Sequence, residues 1–206
     1  MPLEIEGLYA ITVDNDPNIV ANVKAALAGG ASVIQYRDKT ASAEKKHRIA
    51  VQLKNLCADK ALFIINDDIA LAKSVDADGV HLGKDDSDIG KARQLLGNKI
   101  IGVSCYNQLS LAQEAQAAGV DYIAFGRFFS STTKPMAVQA SPELLIEAKK
   151  ILSVPVVAIG GITVNNADSL IKLGADSVAV INGLFGQLNI TKTAQQYCAL
   201  FANHYL

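Results

Sequence analysis

Polar side chains follow several short apolar runs of this chain, and the clearest set is Gln35-x-Arg37-x-Lys39. The apolar residues before it, Val33 and Ile34, are typical of a β-strand, in which alternate side chains share one face. The spacing therefore predicts that Gln35, Arg37 and Lys39 point the same way at the carboxyl end of a strand. Three aligned donors, two of them cationic, are poorly placed in an apolar core and suit a phosphate or pyrophosphate.

Carboxylates follow the next two apolar runs. Asn66 and Asp67 end one run, and Asp86 comes shortly after the next. Because Mg²⁺ prefers a few carboxylates together with water and substrate phosphates, Asp67 and Asp86 predict a magnesium site beside the cationic set. Helix capping is the alternative role for Asp67 and Asp68, which precede a short apolar segment. The sequence does not show whether Asn66 or Asp67 faces the centre of the site.

Later strand ends carry features suited to phosphate. Gly161 follows the seventh apolar run, and Asn182 with Gly183 follows the eighth. Glycine lets a phosphate approach backbone N–H groups, although a tight turn explains a glycine equally simply. Residues 130–134 form a hydroxyl-rich segment that ends in Lys134, which reads either as a phosphate-gripping lid or as a solvated loop.

Nucleophilic and nucleotide-binding chemistry finds little support. Cys105 lies beside Ser104, but the only histidine after it is His204, so no catalytic triad is predicted. His81 lies inside an apolar run and is interpreted as structural. Neither a GxGxxG motif nor a P-loop occurs, which argues against a dinucleotide or P-loop nucleotide site.

The elements that must position these residues repeat along the chain. Eight apolar runs predict strands at 8–13, 33–37, 61–66, 79–82, 99–104, 122–129, 155–159 and 177–181. Helical patterns separate most of them, at 18–28, 43–58, from 87 or 88 to 96, 109–118, 141–151, from 163 or 165 to about 174, and 190–202. Eight βα units predict an α/β fold, a single (β/α)8 TIM barrel domain over residues 1–206, with a doubly wound open sheet as the alternative. In such a barrel, function lies at the carboxyl ends of the strands, where the polar residues fall.

Composition limits the partners. The net charge is −1 and no Lys/Arg block occurs, which argues against nucleic acid. No apolar run approaches the roughly 20 residues of a membrane helix, and the first residues lack a signal-peptide pattern. Three widely spaced cysteines are typical of reduced thiols in a cytoplasmic protein. The expected partners are therefore small phosphorylated molecules, with neither nucleic acid nor membrane, and the sequence leaves a homo-oligomer open.

Taken together, the motifs resemble the thiamine-phosphate synthase family across nearly the whole chain. The matching segments are QYRDK at 35–39, INDD at 65–68, DGVHLGKDD at 78–86, GVS at 102–104, STTK at 131–134 and GGI at 160–162. Each segment is weak alone, but their order and spacing follow the family, so the joint match is specific.

The resemblance implies a transferase on a (β/α)8 barrel, with Mg²⁺ as cofactor. It would join a hydroxymethylpyrimidine diphosphate to a hydroxyethylthiazole phosphate by a dissociative mechanism and release pyrophosphate. It implies that the pyrimidine diphosphate contacts Gln35, Arg37, Lys39, Asn66, Ser104 and Lys134. Arg37, Lys39 and Lys134 would be catalytic, and Asp67 and Asp86 would hold the metal. The thiazole phosphate would lie near Ser131, Thr133, Gly161, Ile181 and Asn182.

Two departures and two alternatives accompany the resemblance. The family usually has Thr-x-Thr-Lys after a proline where this chain has Ser131, and it commonly has serine where this chain has Asn182. The alternatives are a thiazole tautomerase, a related branch that lacks much of the metal and diphosphate set, and a non-catalytic sensor of phosphorylated ligands. Retention of Asp67, Asp86 and Lys134 argues against both.

Overall fold

The computed structural model describes residues 4–83, 88–130 and 138–204. Within them, eight parallel strands pair in chain order, and β1 also pairs with β8, which closes the ring. The strands are β1 Gly7–Ile11, β2 Val33–Tyr36, β3 Leu62–Asn66, β4 Gly79–Leu82, β5 Ile100–Tyr106, β6 Tyr122–Gly126, β7 Val156–Ile159 and β8 Ser177–Val180. The predicted (β/α)8 barrel is confirmed, and the open sheet is excluded.

Helices surround the barrel and alternate with the strands. They are α1 Ile19–Ala28, α2 Ala43–Cys57, α3 Ile69–Ser74, α4 Ile89–Leu96, α5 Leu109–Ala117, α6 Glu143–Ile151, α7 Val164–Lys172, α8 Asn182–Phe185 and α9 Ile190–His204. In the part of the chain that the structure describes, no helix is long and apolar enough to cross a membrane.

Most predicted elements occur within a few residues of their expected ends, and the exceptions bear on function. β2 ends at Tyr36 and β6 ends at Gly126, so both strands stop earlier than predicted. Two short helices, α3 and α8, were not predicted as helices. α3 begins after Asp68, whose carboxylate accepts a hydrogen bond from the backbone N–H of Leu71, so the capping role is confirmed for Asp68.

Strand alternation divides the core into two layers. Inside the barrel, the apolar core includes Tyr9, Val33, Ile64, Tyr122 and Val157. The outward-facing residues of the same strands, rich in Val and Ile, pack against the helices in a larger second layer. Strands covered on both faces must be apolar on both, which explains why the strand segments read as continuous apolar runs.

Aspartates fix the register at the amino ends of three strands. Asp78, Asp121 and Asp176 each precede an even-numbered strand and accept a hydrogen bond from a backbone N–H of the strand before it. Each carboxylate also pairs with a basic side chain of a surrounding helix, namely Lys54, Arg93 or Lys149. This repeated device lies opposite the carboxyl-end face and therefore serves stability.

Candidate active site

A cavity of about 380 Å³ opens at the carboxyl ends of the strands. Its floor consists of inward-facing side chains, and its rim consists of the loops that follow the strands. It brings together seven residues that the sequence predicted as site residues: Gln35, Arg37, Asn66, Ser104, Gly161, Ile181 and Asn182. A pocket of this size, formed of apolar walls and a few convergent polar groups, is typical of a small-molecule site.

The floor contains a buried hydrogen-bonded chain of side chains. Gln35 Nε2 donates to the hydroxyl of Tyr9 at 2.7 Å, and that hydroxyl lies 2.8 Å from the hydroxyl of Tyr122. The Tyr122 hydroxyl lies 2.9 Å from His81 Nδ1, and His81 Nε2 lies 2.9 Å from Ser104 Oγ. This row of hydrogen bonds therefore links two predicted substrate-binding residues, Gln35 and Ser104. The three residues between them were not predicted as part of the site.

Arg37 is held in place by the end of β1. The Thr12 hydroxyl donates to the carbonyl oxygen of Arg37 and accepts from its backbone N–H, both at 2.9 Å. Asp14 accepts from Arg37 Nη1 through both carboxylate oxygens at 2.8 Å, and Asp14 Oδ1 also accepts from the backbone N–H of Lys39. Because Asp14 engages the Nη1 end, the other guanidinium nitrogens stay available to an anion in the cavity.

The predicted common face of Gln35, Arg37 and Lys39 is only partly correct. Gln35 and Arg37 line the cavity, whereas Lys39 lines a neighbouring cleft. The reason is that β2 ends at Tyr36, so strand alternation does not reach position 39. Lys39 Nζ instead lies 3.1 Å from Asp67 Oδ2.

Asn66 and Asp67 differ in whether they line the cavity or the neighbouring cleft. Asn66 lines both the cavity and the cleft, whereas Asp67 lines the cleft alone. Asp67 has a φ of 62°, which turns the chain away from the strand direction at that residue. Its Oδ2 accepts from the Asn66 side chain at 2.6 Å, and its Oδ1 accepts from the backbone N–H of Gly83. Asn66 is thus the residue that faces the centre, and Asp67 lies at the rim beside Lys39.

The opposite rim is formed by close backbone approach. Gly161 has a φ of 64°, and a Cβ at that position would lie 2.3 Å from the carbonyl oxygen of Ser130. A Cβ at Gly183 would lie 2.2 Å from the carbonyl oxygen of Ile162. The loop after β7 therefore approaches the loop after β6 at Gly161, and the start of α8 approaches the loop after β7 at Gly183, only because both positions lack a side chain. A short extra helix after the eighth strand is a frequent phosphate-binding element of this fold.

Cys105 does not belong to this site. It is fully buried and lies outside the residues that line the cavity, and burial raises the pKa of its thiol to about 12. A neutral, inaccessible thiol is a poor nucleophile. Among the described residues that line the cavity, none is Asp, Glu or Cys.

Four predicted site residues lie outside the residues that the structure describes: Asp86, Ser131, Thr133 and Lys134. In the described ranges, no group of three or more His, Cys, Asp or Glu side chains is arranged to hold a metal ion. The described part of the predicted magnesium site is therefore Asp67 with its amide neighbour Asn66.

Several residues of the site were not predicted. Asp14 follows the first strand, as the predicted residues follow theirs, and this position was the available signal. Arg127 lines the cavity just after β6, but the prediction extended that strand to residue 129 and so concealed it. Tyr9 and Tyr122 read as ordinary strand residues, because an aromatic side chain inside a barrel strand is usually core.

Comparison with known proteins shows which protein family this sequence resembles. The family model of thiamine monophosphate synthase matches residues 8–184. A thiamine-phosphate synthase of Alcanivorax borkumensis is 51% identical over 210 residues, covering 98% of this chain and 97% of that protein. One of Chromobacterium violaceum is 51% identical over 189 residues, covering 90% of this chain and 91% of that protein.

A solved structure agrees with these relatives. The thiamine phosphate pyrophosphorylase of Pyrococcus furiosus superposes with a TM-score of 0.89 at 36% identity, covering 98% of this chain and 96% of that one. The chain therefore belongs to the thiamine-phosphate synthase family.

Proposed function

We propose that the cavity joins a hydroxymethylpyrimidine diphosphate to a hydroxyethylthiazole phosphate, forming thiamine phosphate and pyrophosphate. The observation that carries this proposal is the convergence of Gln35, Asn66, Ser104 and Arg37 on one cavity, in a chain that belongs to the synthase family. Three neutral polar groups suit a heterocycle with several nitrogen atoms, and the cation beside them suits its diphosphate.

The reaction transfers electron pairs without a proton. The bond between the pyrimidinylmethyl carbon and the diphosphate oxygen breaks, and its electron pair leaves with the diphosphate. The thiazole nitrogen then gives its lone pair to the resulting carbocation, and the product is a thiazolium. Because that nitrogen carries no proton, neither step needs a general base, which agrees with a cavity lining that lacks carboxylates and thiols in the described residues.

Charge neutralisation is the main task of the residues at the rim. Arg37 is fixed by Asp14 and Thr12, so its guanidinium is already oriented before the diphosphate binds. Lys39 and, outside the described residues, Lys134 would add positive charge. Preorganised cations stabilise the leaving group more in the transition state than in the ground state, since its negative charge grows as the bond breaks.

The donors at the rim fit magnesium. Asp67 supplies a carboxylate that is 23% exposed, Asn66 supplies an amide oxygen, and Asp86 lies outside the described residues. Mg²⁺ takes oxygen ligands and usually completes its shell with water and substrate phosphates, so few protein ligands suffice. When bound there, the ion would neutralise charge on the departing diphosphate.

The thiazole phosphate would bind at the other rim, near Gly161, Ile181 and Asn182. The glycines there permit close approach to backbone N–H groups. Ser131 and Thr133 would contribute from the segment outside the described residues. Bound in this way, the two phosphate groups would lie on opposite sides of the cavity with the reacting atoms between them, which is the positioning that a two-substrate reaction needs.

The direct test is to mix both phosphorylated substrates with Mg²⁺ and the protein. We expect thiamine phosphate and pyrophosphate in equal amounts, measured by chromatography and a phosphate-release assay. A tautomerase would instead interconvert thiazole phosphate isomers without using the pyrimidine, and a sensor would bind a ligand without turnover. Either result would overturn the proposal.

Substitution of Gly161 tests the thiazole phosphate site. Gly161→Ala places a Cβ against the Ser130 carbonyl at a positive φ, a conformation that costs an L-residue about 1–2 kcal/mol. We expect the KM for the thiazole phosphate to rise by roughly tenfold or more, with a smaller effect on kcat. Steady-state kinetics with each substrate varied in turn would measure this.

Two variants serve as controls for Gly161→Ala. Gly119→Ala imposes a positive φ of 85° on alanine at the amino end of β6, where the added Cβ has nothing within 4 Å, so only stability should fall. Asn182→Ser should be nearly silent, since we expect backbone groups to dominate phosphate binding. An unchanged thiazole phosphate KM in Gly161→Ala would place the phosphate elsewhere.

A further inference from the structure

The hydrogen-bonded chain below the cavity is continuous and enclosed. Its inner members, Tyr9, Tyr122 and His81, are 1%, 0% and 8% exposed. All four links measure 2.7–2.9 Å, and they run from Gln35 at one side of the floor to Ser104 at the other. We call these five residues the relay.

The barrel makes room for the relay at a specific position. Tyr122 occupies the space beside Gly102 on β5, where an added Cβ would lie 2.0 Å from the Tyr122 ring. The Tyr122 ring also stacks on His81, with ring centroids 5.5 Å apart. Burial raises the pKa of the Tyr9 and Tyr122 hydroxyls, so both keep their protons at neutral pH.

The assignment of a donor and an acceptor to each hydrogen bond fixes the direction in which the protons of the relay point. Gln35 donates to the Tyr9 hydroxyl, so the proton of Tyr9 goes to Tyr122, and the proton of Tyr122 goes to His81 Nδ1. His81 must then carry its proton on Nε2 and donate it to Ser104 Oγ. Three groups remain for a ligand: Gln35 Oε1 as an acceptor, the second N–H of the same amide as a donor, and the Ser104 hydroxyl as a donor at the other end.

We propose that Tyr9, Tyr122 and His81 are positioning residues that couple Gln35 to Ser104, so that the cavity selects a heterocycle edge carrying an amino donor beside a ring-nitrogen acceptor. This inference rests on the proposed function, in which Gln35 and Ser104 contact the pyrimidine. A 4-aminopyrimidine has such an edge, whereas a 4-oxopyrimidine has the opposite one, with a carbonyl acceptor beside a ring N–H donor.

The coupling explains why selection needs the whole relay. To accept the oxo edge, the Gln35 amide must flip and every proton in the relay must move to the other side of its link. A ligand that matches only one end therefore leaves a buried donor facing a donor, or an acceptor facing an acceptor, inside the barrel. Removal of the Tyr122 hydroxyl would break the relay at its centre. The hydrogen bonds on the Gln35 side and those on the Ser104 side could then reverse independently.

The test compares two substrates in three proteins. The substrates are the 4-amino and 4-oxo forms of the hydroxymethylpyrimidine diphosphate, and the proteins are wild type, Tyr122→Phe and Tyr36→Phe. Tyr36 is a matched control, because its hydroxyl is buried without a hydrogen-bond partner among the described residues and its side chain packs in the outer layer. The quantity of interest is the ratio of kcat/KM for the amino and oxo substrates.

We expect the wild type and Tyr36→Phe to prefer the amino substrate by roughly 10² or more, since a site built for hydrogen bonding strongly rejects a mismatched group. In Tyr122→Phe the preference should fall below about tenfold, through a loss for the amino substrate and none for the oxo substrate. The KM for the thiazole phosphate should not change. Equal losses for both substrates in Tyr122→Phe would mean a merely structural role and would overturn the inference, as would a wild type without preference.

Two further measurements keep the result interpretable. If Tyr122→Phe fails to fold by circular dichroism, Tyr9→Phe cuts the same relay one link earlier and should give the same loss of preference. Calorimetric binding of the unreactive 4-amino and 4-oxo pyrimidine monophosphates, with no second substrate, reports the relay without turnover. A selective wild type that makes no thiamine phosphate would overturn the proposed function and leave the relay intact, and non-selective binding would do the reverse.

Discussion

Excess EDTA is expected to abolish the formation of thiamine phosphate, and added Mg²⁺ should restore it. The physical reason is the leaving group: in the proposed reaction negative charge grows on the departing diphosphate, and Arg37 and Lys39 together supply only two positive charges to offset it. The rim supplies oxygen donors at Asp67 and Asn66, next to the cations and open to solvent. Undiminished turnover in EDTA would remove magnesium from the mechanism.

The adjacent residues Asp67 and Asp68 provide a test variant and a matched control for this prediction. Asp67→Asn removes the proposed ligand charge and should lower kcat by roughly 10²–10³, the scale for losing one preorganised electrostatic group. Asp68→Asn makes the same chemical change one residue later, where the side chain caps α3, and asparagine caps a helix as well as aspartate does. Its kcat should stay within a few-fold of wild type.

A binding measurement separates the metal from the reaction. Titration of Mn²⁺, a close substitute for Mg²⁺, into protein with pyrophosphate should give a saturable signal by electron paramagnetic resonance. That signal should weaken in Asp67→Asn and persist in Asp68→Asn. Equal binding and equal kcat in the two variants would show that Asp67 is not a ligand and that its contacts to Lys39 and Gly83 are structural.

The barrel was predictable because each of its elements carries a local signal. Strands covered on both faces must be apolar throughout, and a helix must end before the next strand begins, so the pattern repeats eight times along the chain. The site was predictable to the extent that it continues a strand. Gln35, Asn66 and Ser104 lie within strands and face the cavity, as alternation requires.

Prediction failed where the chain leaves the strand. The direction of Lys39 depends on a loop that begins at Arg37, and the direction of Asp67 depends on a positive φ at that residue. Neither follows from a period-two pattern. The relay was missed for a different reason: Tyr9, His81 and Tyr122 are far apart in sequence, so their contacts exist only once the barrel closes.

The ion pair between Asp14 and Arg37 makes a second large effect testable. Arg37→Ala should lower kcat by roughly 10²–10³, because it removes a cation that we propose to face the leaving diphosphate. Arg37→Lys should recover little of this loss, since an ammonium cannot both hold Asp14 and present further donors from a planar fork. Pre-steady-state kinetics would show whether the loss lies in the chemical step.

Substitution of Asp14 tests whether this residue orients the Arg37 guanidinium or only balances its charge. If Asp14 only balanced the charge of Arg37, Asp14→Asn would leave a freer cation and bind the diphosphate more tightly, with kcat unchanged or raised. If it orients the guanidinium, as its two contacts at 2.8 Å indicate, Asp14→Asn should lower kcat by an intermediate factor while KM changes little. The control is Arg93→Lys, which alters an arginine–aspartate pair at the other end of the barrel and should change stability but not kcat. A kcat for Asp14→Asn equal to wild type would mean that Arg37 is oriented without Asp14, and that the residues after β1 have only a structural role.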